Sequence, residues 1–241
     1  MRFAVISDVH ANLEALKSVL SEIERRGFNE VYFIGDAVGY GPDPNECVEI
    51  LKNECKVLLA GNHDWAVLGL TDVSYFNDYA RLAIEWTEDI LTENNKDILR
   101  QLPLVHEDTE KDSFFVHSTP LRPQEWNYLL TLRDAEIAFY SIGNKICFLG
   151  HSHQPFIIEK TPSGELLTYK NSTVIKKASR YIINAGSVGQ PRDGNPEACC
   201  IFVEDDRIDI VRIPYDIERV QEKMRMNNLS IHLIERLAAG R

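Results

Sequence analysis

Residues 1–60 alternate short apolar runs with stretches of helical spacing, and this alternation restricts the possible folds more than any other feature of the chain. Residues 2–7 (RFAVIS) read as a buried strand. Leu13, Leu16, Val19, Leu20 and Ile23 then recur at helical spacing until Gly27 stops the pattern. Residues 31–34 (VYFI) give a second strand, Pro44 opens a helix carrying Cys47, Val48, Ile50 and Leu51, and residues 57–60 (VLLA) give a third strand. Strands joined through helices run parallel, with right-handed crossovers set by strand twist. The chain is therefore predicted to be an α/β protein.

Residues 75–102 look helical, with Leu82, Ile84, Trp86, Ile90, Leu91, Ile98 and Leu99. Strands are expected again at 113–116 and 145–149. Beyond His153, short strand candidates at 156–159, 166–169, 181–184, 198–203 and 208–213, some separated by turn residues, suggest an antiparallel half. From about residue 216 the chain reads as polar helix packed on the outside. No internal repeat, low-complexity tract or linker divides it, so residues 1–241 are expected to form a single domain.

Against 26 Lys plus Arg stand 37 Asp plus Glu, a formal charge of −11 that leaves no electrostatic footprint for general binding to nucleic acid or to anionic lipid. An anionic ligand would need a local positive charge, which bound divalent cations can supply. The five cysteines are odd in number and none forms a Cys-x-x-Cys pair, which argues against a disulfide framework and a thiolate zinc site. The apolar run at residues 3–6 meets Asp8 too soon to be a signal-peptide core or a membrane span. The expected location is the cytoplasm.

Five short segments place metal-binding side chains just after predicted strands: Asp8-Val9-His10, Gly35-Asp36, Gly61-Asn62-His63-Asp64, His117 and Gly150-His151-Ser152-His153. In open α/β sheets ligands bind beyond the carboxyl ends of the strands, so these loops can converge. Carboxylate, imidazole and amide oxygen without thiolate suit Mn²⁺, Fe, Zn²⁺, Co²⁺ or Ni²⁺. The set is too large for one ion and matches a pair with one carboxylate bridging.

In this order the segments resemble the signature of the calcineurin-like metallophosphoesterases. Residues 35–44 (GDAVGYGPDP) and 184–192 (NAGSVGQPR) are similar to a bacterial and archaeal phosphodiesterase branch related to diadenosine tetraphosphatase. The resemblance implies a four-layer α-β-β-α sandwich of two mixed sheets flanked by helices. A helical cap over the site, within residues 73–102, is expected to govern substrate choice. The resemblance also implies that Asp8, His10 and His153 hold one metal, that Asn62, His117 and His151 hold the other, and that Asp36 bridges them, with Mn²⁺ the first choice of ion. His63 would contact the substrate phosphate or protonate the leaving oxygen. The implied reaction is hydrolysis of a phosphodiester, nucleotide or dinucleoside polyphosphate by a metal-bound hydroxide. The alternatives are a protein serine/threonine phosphatase and a catalytically silent binding protein of the same fold.

Other residues admit plainer readings. Arg192 can reach a phosphate as a bidentate donor, but turn chemistry around Gly and Pro explains both its neighbourhood and that of Tyr40. Trp65, Trp86 and Trp126 all read as core or lid packing, with Trp126 having the better chance of meeting substrate. Asp64 either orients His63 or caps the following helix, and His106 and His232 carry no assigned role.

Overall fold

The alternation in the first third of the chain is realised as three parallel strands, β1 (Arg2–Ile6), β2 (Val31–Phe33) and β3 (Val57–Leu58), joined through α1 (Leu13–Arg25) and α2 (Pro44–Glu54). The structure is a computed structural model that describes residues 1–241, apart from the side chain of Tyr75. Asn12 caps α1 by accepting from the Ala15 amide, and Pro44 starts α2 at a position where no backbone donor is needed.

The chain continues through α3 (Asn62–Ala66), α4 (Asp78–Ile90), α5 (Glu93–Arg100), β4 (Val105–Asp108), β5 (Ser113–Val116), α6 (Leu132–Ser141) and β6 (Ile146–Leu149). Next come β7 (Phe156–Lys160), β8 (Leu166–Tyr169), β9 (Ser172–Val174), β10 (Arg180–Asn184), β11 (Ala198–Glu204) and β12 (Arg207–Ile213). Helices α7 (Ile217–Met226) and α8 (Ile231–Ala239) close it.

Two six-stranded mixed sheets result, ordered β3-β2-β1-β11-β12-β9 and β4-β5-β6-β10-β7-β8. The strands beyond His153 do not form a separate antiparallel half. β11 inserts antiparallel beside β1, with Val203 opposite Phe3, whereas β10 lies parallel to β6. Side-chain alternation says which residues face a core, but it does not name the partner strand.

That alternation defines four layers. Phe3 and Val5 of β1 point between the sheets with Tyr32, Phe115, Phe148, Tyr181 and Ile183, while Ala4 and Ile6 point outward to α1 and α2. On the other outer face Ile182 packs with Ala135, Ala138 and Phe139 of α6.

Among the described residues of the 73–102 stretch only its start faces the cavity described below, through Phe76, Asn77 and Ala80. Ile84, Leu91 and Leu99 instead join the core under α1 and α2. Nor is the C-terminal stretch merely polar and outside: Val220, Met224, Leu233 and Leu237 are buried in a cluster with Tyr40, Ala80 and Ala83. Among the described residues no helix is long and apolar enough to cross a membrane, and all five cysteines are unpaired.

Candidate metal centre

The loops after β1, β2, β3, β5 and β6 bring Asp8, His10, Asp36, Asn62, His117, His151 and His153 into one buried cluster. Three overlapping groups have donor atoms within 4.8 Å of one another: Asp8, His10 and His153; His10, Asp36 and His63; and Asp36, His117 and His151. His153 Nε2 lies 3.1 Å from Asp8 Oδ1, and His117 Nε2 lies 3.3 Å from Asp36 Oδ2. Asp8, His10, Asp36, His151 and His153 all have positive φ, between 47° and 66°. That conformation costs an L-residue roughly 1–2 kcal/mol, and it persists only where the surroundings over-determine it.

Those surroundings also fix the direction of each imidazole. Nδ1 of His10, His117 and His153 meets the carbonyl of Val38 (3.0 Å), Ile34 (3.0 Å) and Gln190 (2.6 Å), and Nε2 of His151 meets the carbonyl of Trp126 at 2.8 Å. A carbonyl only accepts, so each of these ring nitrogens must donate. In the neutral ring the other nitrogen then carries a lone pair. This is the arrangement in which metal-binding histidines are commonly held.

Four of the inward atoms lack hydrogen-bond partners, and Nε2 of His10 and Nε2 of His153 face each other at 3.1 Å. Asp8 Oδ1, Asp36 Oδ2, Asn62 Oδ1 and His117 Nε2 are all buried and unsatisfied, although the other oxygens of Asp8 and Asp36 accept from the His151 and His63 amides at 3.1 and 2.8 Å. Carboxylate and amide oxygens turned toward one another inside a protein are costly unless a cation lies among them. The residues present therefore fit divalent metal ions.

Charge follows the same pattern. Burial would raise the Asp36 and Asp8 carboxyls, but neighbouring histidines, His117 and His63 for Asp36 and His153 and His117 for Asp8, hold both well below the usual range. Burial lowers His151 to about 3, and burial with the Arg192 charge lowers His153 to about 4, so both rings are neutral. His117 differs: burial opposes its charge, but Asp36 and Asp8 outweigh burial and raise it to about 9, so without a cation its ring keeps a proton that a bound metal would displace.

Asp64 does not orient His63. Its carboxylate accepts from the amides of Gly61, Asp36, Ala37 and Val38, so it caps α3 and ties that loop to the one carrying Asp36. The two loops approach so closely that a Cβ at Gly61 would collide with the Asp36 carboxylate. From the far end of the chain, Ser187 Oγ donates to the Asp8 carbonyl, and Asn184 Nδ2 donates to the Gly150 carbonyl.

A cavity of about 500 Å³ opens beside the cluster and is reached by Asn62, His63, His151, Tyr40, Trp126 and Arg192. The His63 ring packs against His10, Tyr40 and Phe76, with centroids 4.7, 4.5 and 5.1 Å away. Trp126 meets the edge of Trp65, and its carbonyl holds His151. Tyr128, which the sequence reading did not single out, stacks on His151 at 3.9 Å. Its only sequence signal is that it lies two residues after Trp126. His106 and His232 stand apart from the cluster, against Tyr32 and Tyr79 respectively.

Residues 1–207 match the family described as the calcineurin-like phosphoesterase superfamily domain. The chain belongs to the calcineurin-like phosphoesterases. An uncharacterized protein of Methanocaldococcus jannaschii is 43% identical over 242 residues, covering 99% of this chain and 98% of that protein. The crystal structure of a metallophosphoesterase from Sphaerobacter thermophilus superposes with a TM-score of 0.87 at 39% identity, covering 100% of this chain and 99% of the other. A hypothetical protein from Pyrococcus horikoshii shares the phosphoesterase fold with a TM-score of 0.81 at 18% identity, covering 100% and 98%.

Proposed function

We propose that this phosphoesterase is dinuclear and hydrolyses a phosphodiester or nucleotide. The observation that carries the reading is the set of buried, unpartnered inward atoms on Asp8, Asp36, Asn62 and His117, beside imidazoles whose tautomers are already set. Asp8, His10 and His153 would hold one ion and Asn62, His117 and His151 the other, with Asp36 between them. Bound there, two ions supply Lewis acidity to the phosphoryl oxygens and lower the pKa of water.

The chain's own contributions lie around that pair. His63, packed against the Tyr40 and Phe76 rings, faces the cavity; burial holds its ring well below the usual range in the free protein, so the proton for the leaving oxygen would be taken up together with the anionic phosphate. Trp126 and Tyr128 form one wall, and Phe76 and Asn77, at the start of the 73–102 stretch, form another that limits the non-reacting part of the substrate. Five unpaired cysteines support a reducing compartment such as the cytoplasm.

The experiment is metal analysis alongside turnover of nitrophenyl mono- and diesters and a panel of nucleotides. Chelation should abolish turnover, and Mn²⁺ should restore it best. Asp36→Asn should lower the content from two ions to one or fewer. Full activity in protein shown to be metal-free, or two ions tightly retained by Asp36→Asn, would refute the assignment.

A further inference from the structure

The cavity contains a cation that the protein does not neutralise. Arg192 lines it, and no carboxylate among the described residues pairs with this guanidinium, although acidic groups exceed basic ones and the formal charge is −11. Its Nε and Nη2 donate to Gln190 Oε1 at 3.2 and 2.8 Å, and Nη2 also approaches the Tyr40 hydroxyl at 3.3 Å. These partners are neutral, so they orient the fork without cancelling its charge. Nη1 has no partner among the described residues.

The nearby carboxylates do not contact it. The adjacent Asp193 pairs with Arg212, and of the two carboxylates that also line the cavity Glu125 pairs with Arg122 while Asp72 accepts from the Ser74 amide. Arg180, another half-buried guanidinium without a carboxylate, contrasts with Arg192 in donating to the carbonyls of Phe139, Ile142 and Asn144.

Position limits what Arg192 can bind. The Tyr40 ring lies 4.7 Å from His10 and 4.5 Å from His63, and the Arg192 guanidinium carbon lies 5.6 Å from that same ring. The guanidinium thus meets the cluster through Tyr40, and among the described residues it makes no hydrogen bond to any of the proposed ligands, which sets it beside the metal cluster.

The arrangement is held from behind. Tyr40 has φ 61° and is buried among Val220, Leu233 and Leu237 of the C-terminal hairpin. Lys223 of that hairpin bonds Glu14 and Asp43, and the Gly194 amide donates to the Gly240 carbonyl, so the loops carrying Tyr40 and Arg192 are both anchored to it. The hairpin lies beyond the 1–207 family match.

We propose that Arg192 is a specificity-determining residue that binds a second phosphate, adjacent to the one cleaved, and that the substrate is accordingly a diphosphate-bearing ester such as a nucleoside diphosphate derivative or a dinucleoside polyphosphate. This rests on the phosphoesterase reading above, and the test separates the two.

The probes are imidodiphosphate, which keeps two linked phosphoryl groups, and orthophosphate, each titrated calorimetrically into protein in excess Mn²⁺ with metal content measured afterwards. Wild type should bind imidodiphosphate at least about tenfold more tightly than orthophosphate, the scale of one charge-assisted contact. R192Q should abolish the preference while leaving orthophosphate binding and metal content unchanged. R192K, which keeps the charge but loses the fork, should retain part of the preference and serves as the second variant should R192Q fold poorly. Equal weakening of both probes by R192Q would place Arg192 on the reacting phosphate and overturn the proposal, as would a wild type that does not discriminate or an R192Q indistinguishable from it. Failure of the phosphoesterase reading shows separately, as no turnover of any nitrophenyl ester by metal-loaded wild type.

Discussion

His63 lies with His10 and Asp36 in one group of potential donors, yet it also faces the cavity, so metal ligation and proton donation make opposite demands on its variant. Proton donation predicts that His63→Gln keeps both ions and slows an alkyl phosphate ester by about 10²–10⁴-fold, with a smaller loss for a nitrophenyl ester whose leaving group needs no proton. Metal analysis with turnover of both esters checks this, and loss of one ion equivalent would make His63 a ligand instead. The seven residues proposed as ligands were legible in the sequence because their side-chain types and their places after strands are both written there. Their backbone was not. Nothing in Asp8 or His151 announces a left-handed conformation, which the packing of neighbouring loops imposes. The role of Trp126 was illegible for a related reason: the group that holds His151 is its carbonyl, which any residue would carry.

Glu159 of β7 shows how this strand is secured to its neighbours. It is fully buried and accepts from Ser179 Oγ (2.7 Å), Tyr169 Oη (2.7 Å) and Lys176 Nζ (3.0 Å), which joins β7, β8 and the approach to β10. Burial alone would raise its carboxyl, but these bonds outweigh burial and hold it below the usual value. A folded pKa below the unfolded one contributes stability that is present above the unfolded value, about 4.3, and is lost as pH falls through the folded one. Glu159→Gln should therefore cost about 1–3 kcal/mol at neutral pH and flatten the acid limb of a stability profile from denaturant titrations. An unchanged acid limb would mean that the network carries no charge-dependent stability. At this scale the sequence disclosed most strands but not β4, β9 or α6. β4 (VHED) has no apolar run, and α6 shows itself mainly through the reciprocal capping of Thr131 and Asp134. The insertion of β11 beside β1 was equally hidden, because it depends on a contact between residues about two hundred positions apart.

Across the whole molecule, the proposed ligands come from both sheets: Asp8, Asp36 and Asn62 follow strands of the first, and His117, His151 and His153 follow strands of the second. An ion that binds this folded arrangement and not the unfolded chain stabilises it by mass action. At a free concentration about 100 times Kd the gain is ~2.7 kcal/mol. Calorimetry should accordingly find that chelated protein melts several degrees below Mn²⁺-loaded protein, with a midpoint that climbs with Mn²⁺ concentration. A midpoint indifferent to Mn²⁺ would count against preassembly across the sandwich. The division of the ligands also orders events in time. Neither sheet alone presents a complete set, and β1 gains its β11 neighbour only after the chain has crossed to the second sheet and returned. A newly made chain would thus have nowhere to lodge the proposed pair of ions until its two sheets have met, and the ability to cleave phosphate would arrive only with the assembled sandwich.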